Sequence, residues 1–317
     1  MARPVVNLPA SVRQRLLNLS RQRKEDFSAI LNQYVIERLL YRLAKSSYAD
    51  QFVLKGAVLF TIWTGQPHRP TRDLDLLGSG TLERDAIRLI FAELCRVDVE
   101  PDGLIFDPDS ISVREIRETQ RYGGYRAQML AWLDTARISI QVDIGFGDAV
   151  TPSAMDIVYP TLLDFPSPHL RAYPRDTVVA EKLEALVALG ELNSRMKDFY
   201  DLWTLARLFA FDGVVLARAI SATFNRRQNE IPDGVPIALT PEFGKLPDKT
   251  TQWEAFLRRN RLNEGPPPLL HIIVTLETFL VLPLLAVAND RPFEKHWPPG
   301  GPWREGRLTG EADAAAG

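Results

Sequence analysis

Asp73-Leu74-Asp75 and what precedes it constrain this chain most. A short apolar run, Phe52-Val53-Leu54-Lys55, leads into a turn at Gly56-Ala57, an amphipathic helix through Trp63, and then Thr71-Arg72-Asp73-Leu74-Asp75-Leu76. Alternate residues of a strand point to the same side. Asp73 and Asp75 therefore leave one face together, while Leu74 and Leu76 enter a core on the other. Two adjacent carboxylates repel unless a cation sits between them, which makes a divalent metal their natural partner.

A third carboxylate comes from the cleanest period-two pattern in the chain. Ile138, Ile140, Val142 and Ile144 face one way, and Ser139, Gln141 and Asp143 the other. Asp73, Asp75 and Asp143 are thus the candidate metal ligands. The turn at Lys55-Gly56-Ala57 is the candidate cradle for a triphosphate, through its backbone N–H groups. Three carboxylates from two strands around Mg²⁺, beside such a turn, suit phosphoryl or nucleotidyl transfer. A lysine such as Lys182 would neutralise charge on the triphosphate or on departing pyrophosphate. Neither a Walker loop nor a Rossmann glycine pattern is present. The four histidines, His68, His169, His271 and His296, sit in no hydrolase triad context.

Around this core the chain reads as helices over residues 1–50, with Asp-rich loop near 101–110, strands at 111–117 and 138–144, and helices from 178 onward. The helix from 178 is expected to be capped by Asp176 or Thr177. A second helix from Lys197 to Phe211 carries Asp198 and Asp201 on one side. Residues 229–250, rich in Pro, Gly and Asp, read as a long loop. The expected fold class is α/β, in the α+β sense: a mixed sheet in the amino-terminal half and a helical carboxyl-terminal half. The expected domains are 1–165, 166–290 as a helical domain closing the active-site cleft, and a loosely ordered tail over 291–317.

The 317 residues carry 38 basic and 40 acidic side chains, so any basic surface for nucleic acid must be local. Arg114, Arg117, Arg121 and Arg126 are candidates for such a rim, against simple surface charge. The lone Cys95 excludes an internal disulfide, no secretory pattern is seen near the amino terminus, and a reducing cytoplasm is the expected home. Leu269 to Ala288 is apolar enough for a membrane test, but Glu277 and Pro283 favour a buried core helix. Each motif has a plain alternative: Asp-Leu-Asp at a strand end, Lys55 as a strand-end charge, Glu181 and Lys182 on a solvated helix face, Asp198 paired with Arg195 or Lys197. Their conjunction in order is what favours a site.

That conjunction resembles a known family. Leu54-Lys55-Gly56-Ala57, Thr71-Arg72-Asp73-Leu74-Asp75, the Asp143 strand, Glu181-Lys182-Leu183-Glu184-Ala185-Leu186 and Lys197-Asp198-Phe199-Tyr200-Asp201-Leu202 together look like the AbiEii/AbiGii toxin nucleotidyltransferases. This group lies within the DNA polymerase β-like superfamily and includes the MenT tRNA-modifying toxins. The resemblance spans roughly residues 20–290. It implies a nucleotidyltransferase fold and a Mg²⁺-dependent toxin enzyme that consumes a nucleoside triphosphate. It further implies nucleotide addition to the 3′ acceptor end of tRNA, as in characterised relatives, and a cognate antitoxin protein. Residue by residue, Asp73 and Asp75 match the metal pair, Gly56 the triphosphate turn, Lys182 the nucleotide-contacting lysine and Asp198 the carboxylate of the later helix. Ala57 stands where the family has Gly or Ser; it keeps the N–H and supplies no hydroxyl. Two other readings stay open at this point: transfer to a protein hydroxyl, and a catalytically silent binding module.

Overall fold

The computed structural model describes residues 7–65, 67–71, 73–117, 123–262 and 265–306. The chain divides into two units, residues 1–147 with 155–172, and residues 148–154 with 173–317.

The first unit is a seven-stranded mixed sheet with helices packed on it. Its strands are β1 (Phe52–Lys55), β2 (Asp73–Gly78), β3 (Leu104–Arg117), β4 (Gly123–Leu133), β5 (Ala136–Phe146), β6 (Met155–Val158) and β7 (His169–Ala172), in the order β3-β4-β5-β2-β1-β7-β6. The pairs β5/β2 and β1/β7 are parallel and the others antiparallel. This is the mixed sheet expected from strands interrupted by helices. β5 buries Ile138, Ile140, Val142 and Ile144 as its alternation predicts, and β2 buries Leu74 and Leu76. The expected loop over 101–110 is largely strand instead. β3 begins at Leu104 and absorbs the polar stretch through a register shift between Asp107 and Ser112. There the Asp107 side chain accepts from the Asp109 N–H, and the Ser110 hydroxyl donates to the Asp107 carbonyl.

Helices α1 (Leu8–Arg23) and α2 (Phe27–Lys45) precede the sheet, α3 (Leu59–Thr64) lies between β1 and β2, and α4 (Arg84–Leu94) follows β2. Asn7 and Asp26 cap the first two with their side chains. α1, α2 and α4 pack on β4, β5 and β3. α2 is anchored by charged groups as well as by its apolar face. The Arg42 guanidinium forks onto Asp102 at 2.6 and 3.2 Å, and Glu37, fully buried, accepts the Leu162 N–H at 2.7 Å. Burial pushes the Glu37 carboxyl up to about 7.

The second unit is helical: α5 (Arg175–Leu189), α6 (Met196–Leu208), α7 (Gly213–Arg227), α8 (Pro241–Lys245), α9 (Pro247–Arg259) and α10 (Leu269–Ala288). α5 starts earlier than expected, after Pro174, and neither Asp176 nor Thr177 is its cap. The Thr177 hydroxyl instead donates to the Thr151 carbonyl and accepts the Thr151 N–H, pinning residues 148–154 to this unit. The expected loop over 229–250 contains α8 and the first turn of α9. Each starts with a proline in its first turn, where a missing N–H costs nothing, and Thr240 caps α8. α6 ends at Leu208, and Phe211 lies in β8 (Phe211–Asp212). β8 pairs with β9 (Lys295–Trp297), which pairs with β10 (Arg304–Glu305). The segment after Arg291 therefore carries two short strands within its described part, and Trp297 is buried with its indole N–H donating to the Ala206 carbonyl.

α10 is the one described helix long and apolar enough to cross a membrane by length and composition. Ile272, Ile273, Leu276, Phe279, Leu280 and Leu284 are fully buried, and the helix packs on α6, α7 and α8. It is the core helix of its unit, which is why it is apolar on more than one face.

Candidate active site

In the first unit, strand register lines up charged residues across the sheet. Lys55 on β1 lies opposite Asp75 on β2, Asp75 opposite Asp143 on β5, Asp143 opposite Arg126 on β4, and Arg126 opposite Arg114 on β3. Paired positions share a face, so five strands present Lys55, Asp75, Asp143, Arg126 and Arg114 as one row. Asp73 stands two residues along the same face of β2, opposite Gln141. The sequence places Asp73 with Asp75; pairing brings Asp143 alongside.

Gly56 sits at the end of this row. Its φ of +79° is a left-handed conformation that side chains other than glycine adopt at a cost. A Cβ built there would lie 2.0 Å from Asp75 Oδ2, so the turn packs directly on that carboxylate. Glycine is needed for both reasons. The Ala57 methyl that follows is buried, as is Lys55. The turn then enters α3 through the hydrogen bond from the Leu59 N–H to the Gly56 carbonyl, 3.3 Å.

Arg126 is not the free rim residue its sequence position suggested. Its Nε and Nη2 each donate to one oxygen of Asp143, both at 2.7 Å. Those hydrogen bonds raise the guanidinium above its ordinary value, and the charges of Asp143, Asp73 and Asp75 add to the effect against modest burial. Arg114 is exposed and makes no ion pair among the described residues. Arg121 and the Arg117 side chain lie outside the described residues.

The second unit gathers Lys182 and Asp198 by its own packing. Lys182 on α5 meets two fully buried carboxylates of α6, Asp198 at 2.7 Å and Asp201 at 2.8 Å. Arg195, just before α6, reaches the other oxygen of Asp198 at 2.7 Å. Burial pushes the Asp198 carboxyl up, but the Lys182 and Arg195 charges outweigh it and hold the group below its ordinary value. The sequence spacing of Asp198 and Asp201 signalled their shared side; that both belong to Lys182 needed the α5–α6 packing. A second cluster went unread. Arg227 on α7 pairs with Glu184 at short range, with Asp148 at 3.2 Å and with Glu181 at 3.8 Å. Burial opposes the Arg227 charge, yet the three carboxylates raise it above its ordinary value. No sequence motif marks this hub, because its members come from three separate segments.

Hard oxygen donors suit Mg²⁺, and Asp73 and Asp75 on one face offer them. Asp143, the third ligand expected, has both oxygens given to Arg126. Among the described residues no three His, Cys, Asp or Glu side chains gather as a metal-holding set. Asp73 and Asp75 thus offer the oxygen chemistry a divalent cation takes, and Asp143 is held by Arg126.

The first unit's mixed sheet thus carries the Asp73/Asp75 strand beside the left-handed Gly56 turn, and the helical unit carries the Lys182–Asp198–Asp201 cluster. The model of the AbiEii toxin nucleotidyl transferase family, of type IV toxin–antitoxin systems, matches residues 38–274, and the chain belongs to that family. It is a nucleotidyltransferase by family, and the toxin side of such a system implies an antitoxin partner. Among solved structures, JHP933 from Helicobacter pylori aligns at 16% identity and a TM-score of 0.46, over 82% of this chain and 90% of its own. Another H. pylori chain, provisionally named a nucleotidyltransferase, aligns at 16% identity and a TM-score of 0.45, over 82% of this chain and 93% of its own. No curated protein gives a sequence match.

Proposed function

We propose that this chain is a Mg²⁺-dependent toxin that transfers a nucleoside monophosphate from a nucleoside triphosphate to RNA, at the 3′ acceptor end of tRNA. The observation that supports it best is Gly56 packed on Asp75 beside Asp73, at the end of the charged row. In the reaction, the RNA 3′-hydroxyl oxygen bonds to the α-phosphorus, the bond to pyrophosphate breaks, and the hydroxyl proton leaves to solvent. Asp73 and Asp75 would hold the metal, with Asp143 as a further ligand on release from Arg126, and it would supply Lewis-acid stabilisation of the triphosphate oxygens. The N–H groups around Lys55, Gly56 and Ala57 bind the triphosphate. Lys182 neutralises triphosphate charge, and Asp198 fixes the Lys182 ammonium. The setting is cytoplasmic, with a cognate antitoxin as partner.

The test is incubation of the protein with each labelled nucleoside triphosphate and total tRNA, with and without Mg²⁺. Label in tRNA that depends on Mg²⁺ and disappears in Asp73→Ala is the expected result. Label in protein would select transfer to a protein hydroxyl. Absence of label in either, with growth inhibition unchanged by Asp73→Ala, would leave a silent binding module.

A further inference from the structure

We propose that Arg126 is a positioning residue that competes with the divalent cation for Asp143, so that the metal site is completed only when this ion pair opens. The inference rests on the reading of Asp73 and Asp75 as metal ligands. Its own observation is the fork: both oxygens of a mostly buried carboxylate are taken by Nε and Nη2 at 2.7 Å, on the strand beside Asp75. A charge-assisted bidentate pair is among the stronger hydrogen-bonded contacts, and a cation must displace it or share its acceptor. Arg126 lies directly opposite Arg114, and like charges opposed on neighbouring strands repel. Asp143 relieves that repulsion while the fork is closed. Once the cation holds Asp143, two arginines stand together at the edge of the metal site and form a fork for a phosphate. Cation binding thereby readies the basic end of the row for an anionic substrate.

The experiment is calorimetric titration of the full chain with MnCl₂ alone, without nucleotide, on the wild type and on Arg126→Gln, Arg126→Lys, Asp143→Asn, Asp73→Asn and the Arg126→Gln/Asp143→Asn double variant. Thermal unfolding in EDTA establishes that each is folded. Arg126→Gln is expected to bind Mn²⁺ roughly tenfold tighter than wild type. Arg126→Lys keeps the charge and loses the fork, and should tighten binding by a smaller factor; it carries the test if the glutamine variant does not fold. Asp143→Asn should weaken binding, and in that background Arg126→Gln should have no effect, because the contact it removes is already gone. Tightening of equal size with and without Asp143 would overturn the proposal, as would affinity unchanged in both Arg126 variants. If Asp73→Asn weakens binding and the cycle is additive, the competition fails alone. If Asp73→Asn leaves Mn²⁺ binding intact, the metal-site reading fails and the competition with it.

Discussion

Gly56→Ala is the sharpest perturbation this site offers. The substitution adds one methyl group, and two separable effects follow. Alanine at a φ of +79° costs about 1–2 kcal/mol of backbone strain. The new Cβ would also lie 2.0 Å from Asp75 Oδ2, 2.7 Å from its Cγ and 2.8 Å from its Cβ. Because all three neighbours belong to one side chain, Asp75 must move by about 1.4 Å to take its Oδ2 from 2.0 Å out to ordinary contact at 3.4 Å. A misplacement of that size at a reacting centre costs roughly 100-fold in rate. Gly65→Ala is the matched control: its φ is +77° and a Cβ there meets nothing within 4 Å. The assay is single-turnover incorporation of labelled nucleotide into tRNA, alongside urea unfolding. Both variants should lose about 1–2 kcal/mol of stability, and Gly56→Ala alone should lose about two orders of magnitude in rate. Activity in Gly56→Ala within threefold of the control would refute the claim that Asp75 position governs the reaction.

Other outcomes follow from buried charge. Glu37, raised from 4.5 to about 7, binds its proton more tightly folded than unfolded, so its contribution is fully favourable below about 4.5 and falls as pH rises to about 7. The difference amounts to about 3 kcal/mol, and urea unfolding between pH 5 and 8 should show that slope in wild type and lose it in Glu37→Gln. Lys182→Met strips Lys182 from two fully buried carboxylates and should destabilise the fold by about 3–5 kcal/mol, while Lys182→Arg should unfold near the wild-type denaturant midpoint. Asp198, held below its ordinary 3.8, contributes stability above that value and loses it as pH falls further, so Asp198→Asn should reduce the acid sensitivity of unfolding. Arg114→Ala, exposed, should leave stability within about 0.5 kcal/mol; in RNA-binding titrations it should lower affinity and reduce the salt slope by about 1.

How much of this was legible from sequence differs by element. The strands and helices with a strict period were readable, because burial of one face repeats every two or every 3.6 residues: β2, β5 and α2 are cases, while α10 was readable as a long apolar run. The loops were misread where a local device overrode composition. Polar residues around Asp107 look like a loop, yet a register shift lets them stay within β3. Prolines at 241 and 247 look like breakers, yet at a first helical turn they are harmless. The cap of α5 failed for a related reason, since Thr177 spends its hydroxyl on Thr151.

For the candidate site the division has a physical cause. Local spacing carries what lies within one element: Asp73 with Asp75 two apart on a strand, Asp198 with Asp201 three apart on a helix, and a glycine where the turn demanded one. What lies across elements came from strand pairing and helix packing. Pairing of β2 with β5 set Asp143 beside Asp75, and pairing of β5 with β4 gave that carboxylate to Arg126. Packing of α5 on α6 put Lys182 between two buried aspartates. Intervals of two and three residues are fixed by backbone geometry, whereas partners dozens of residues apart are chosen by register and packing, which no local pattern encodes.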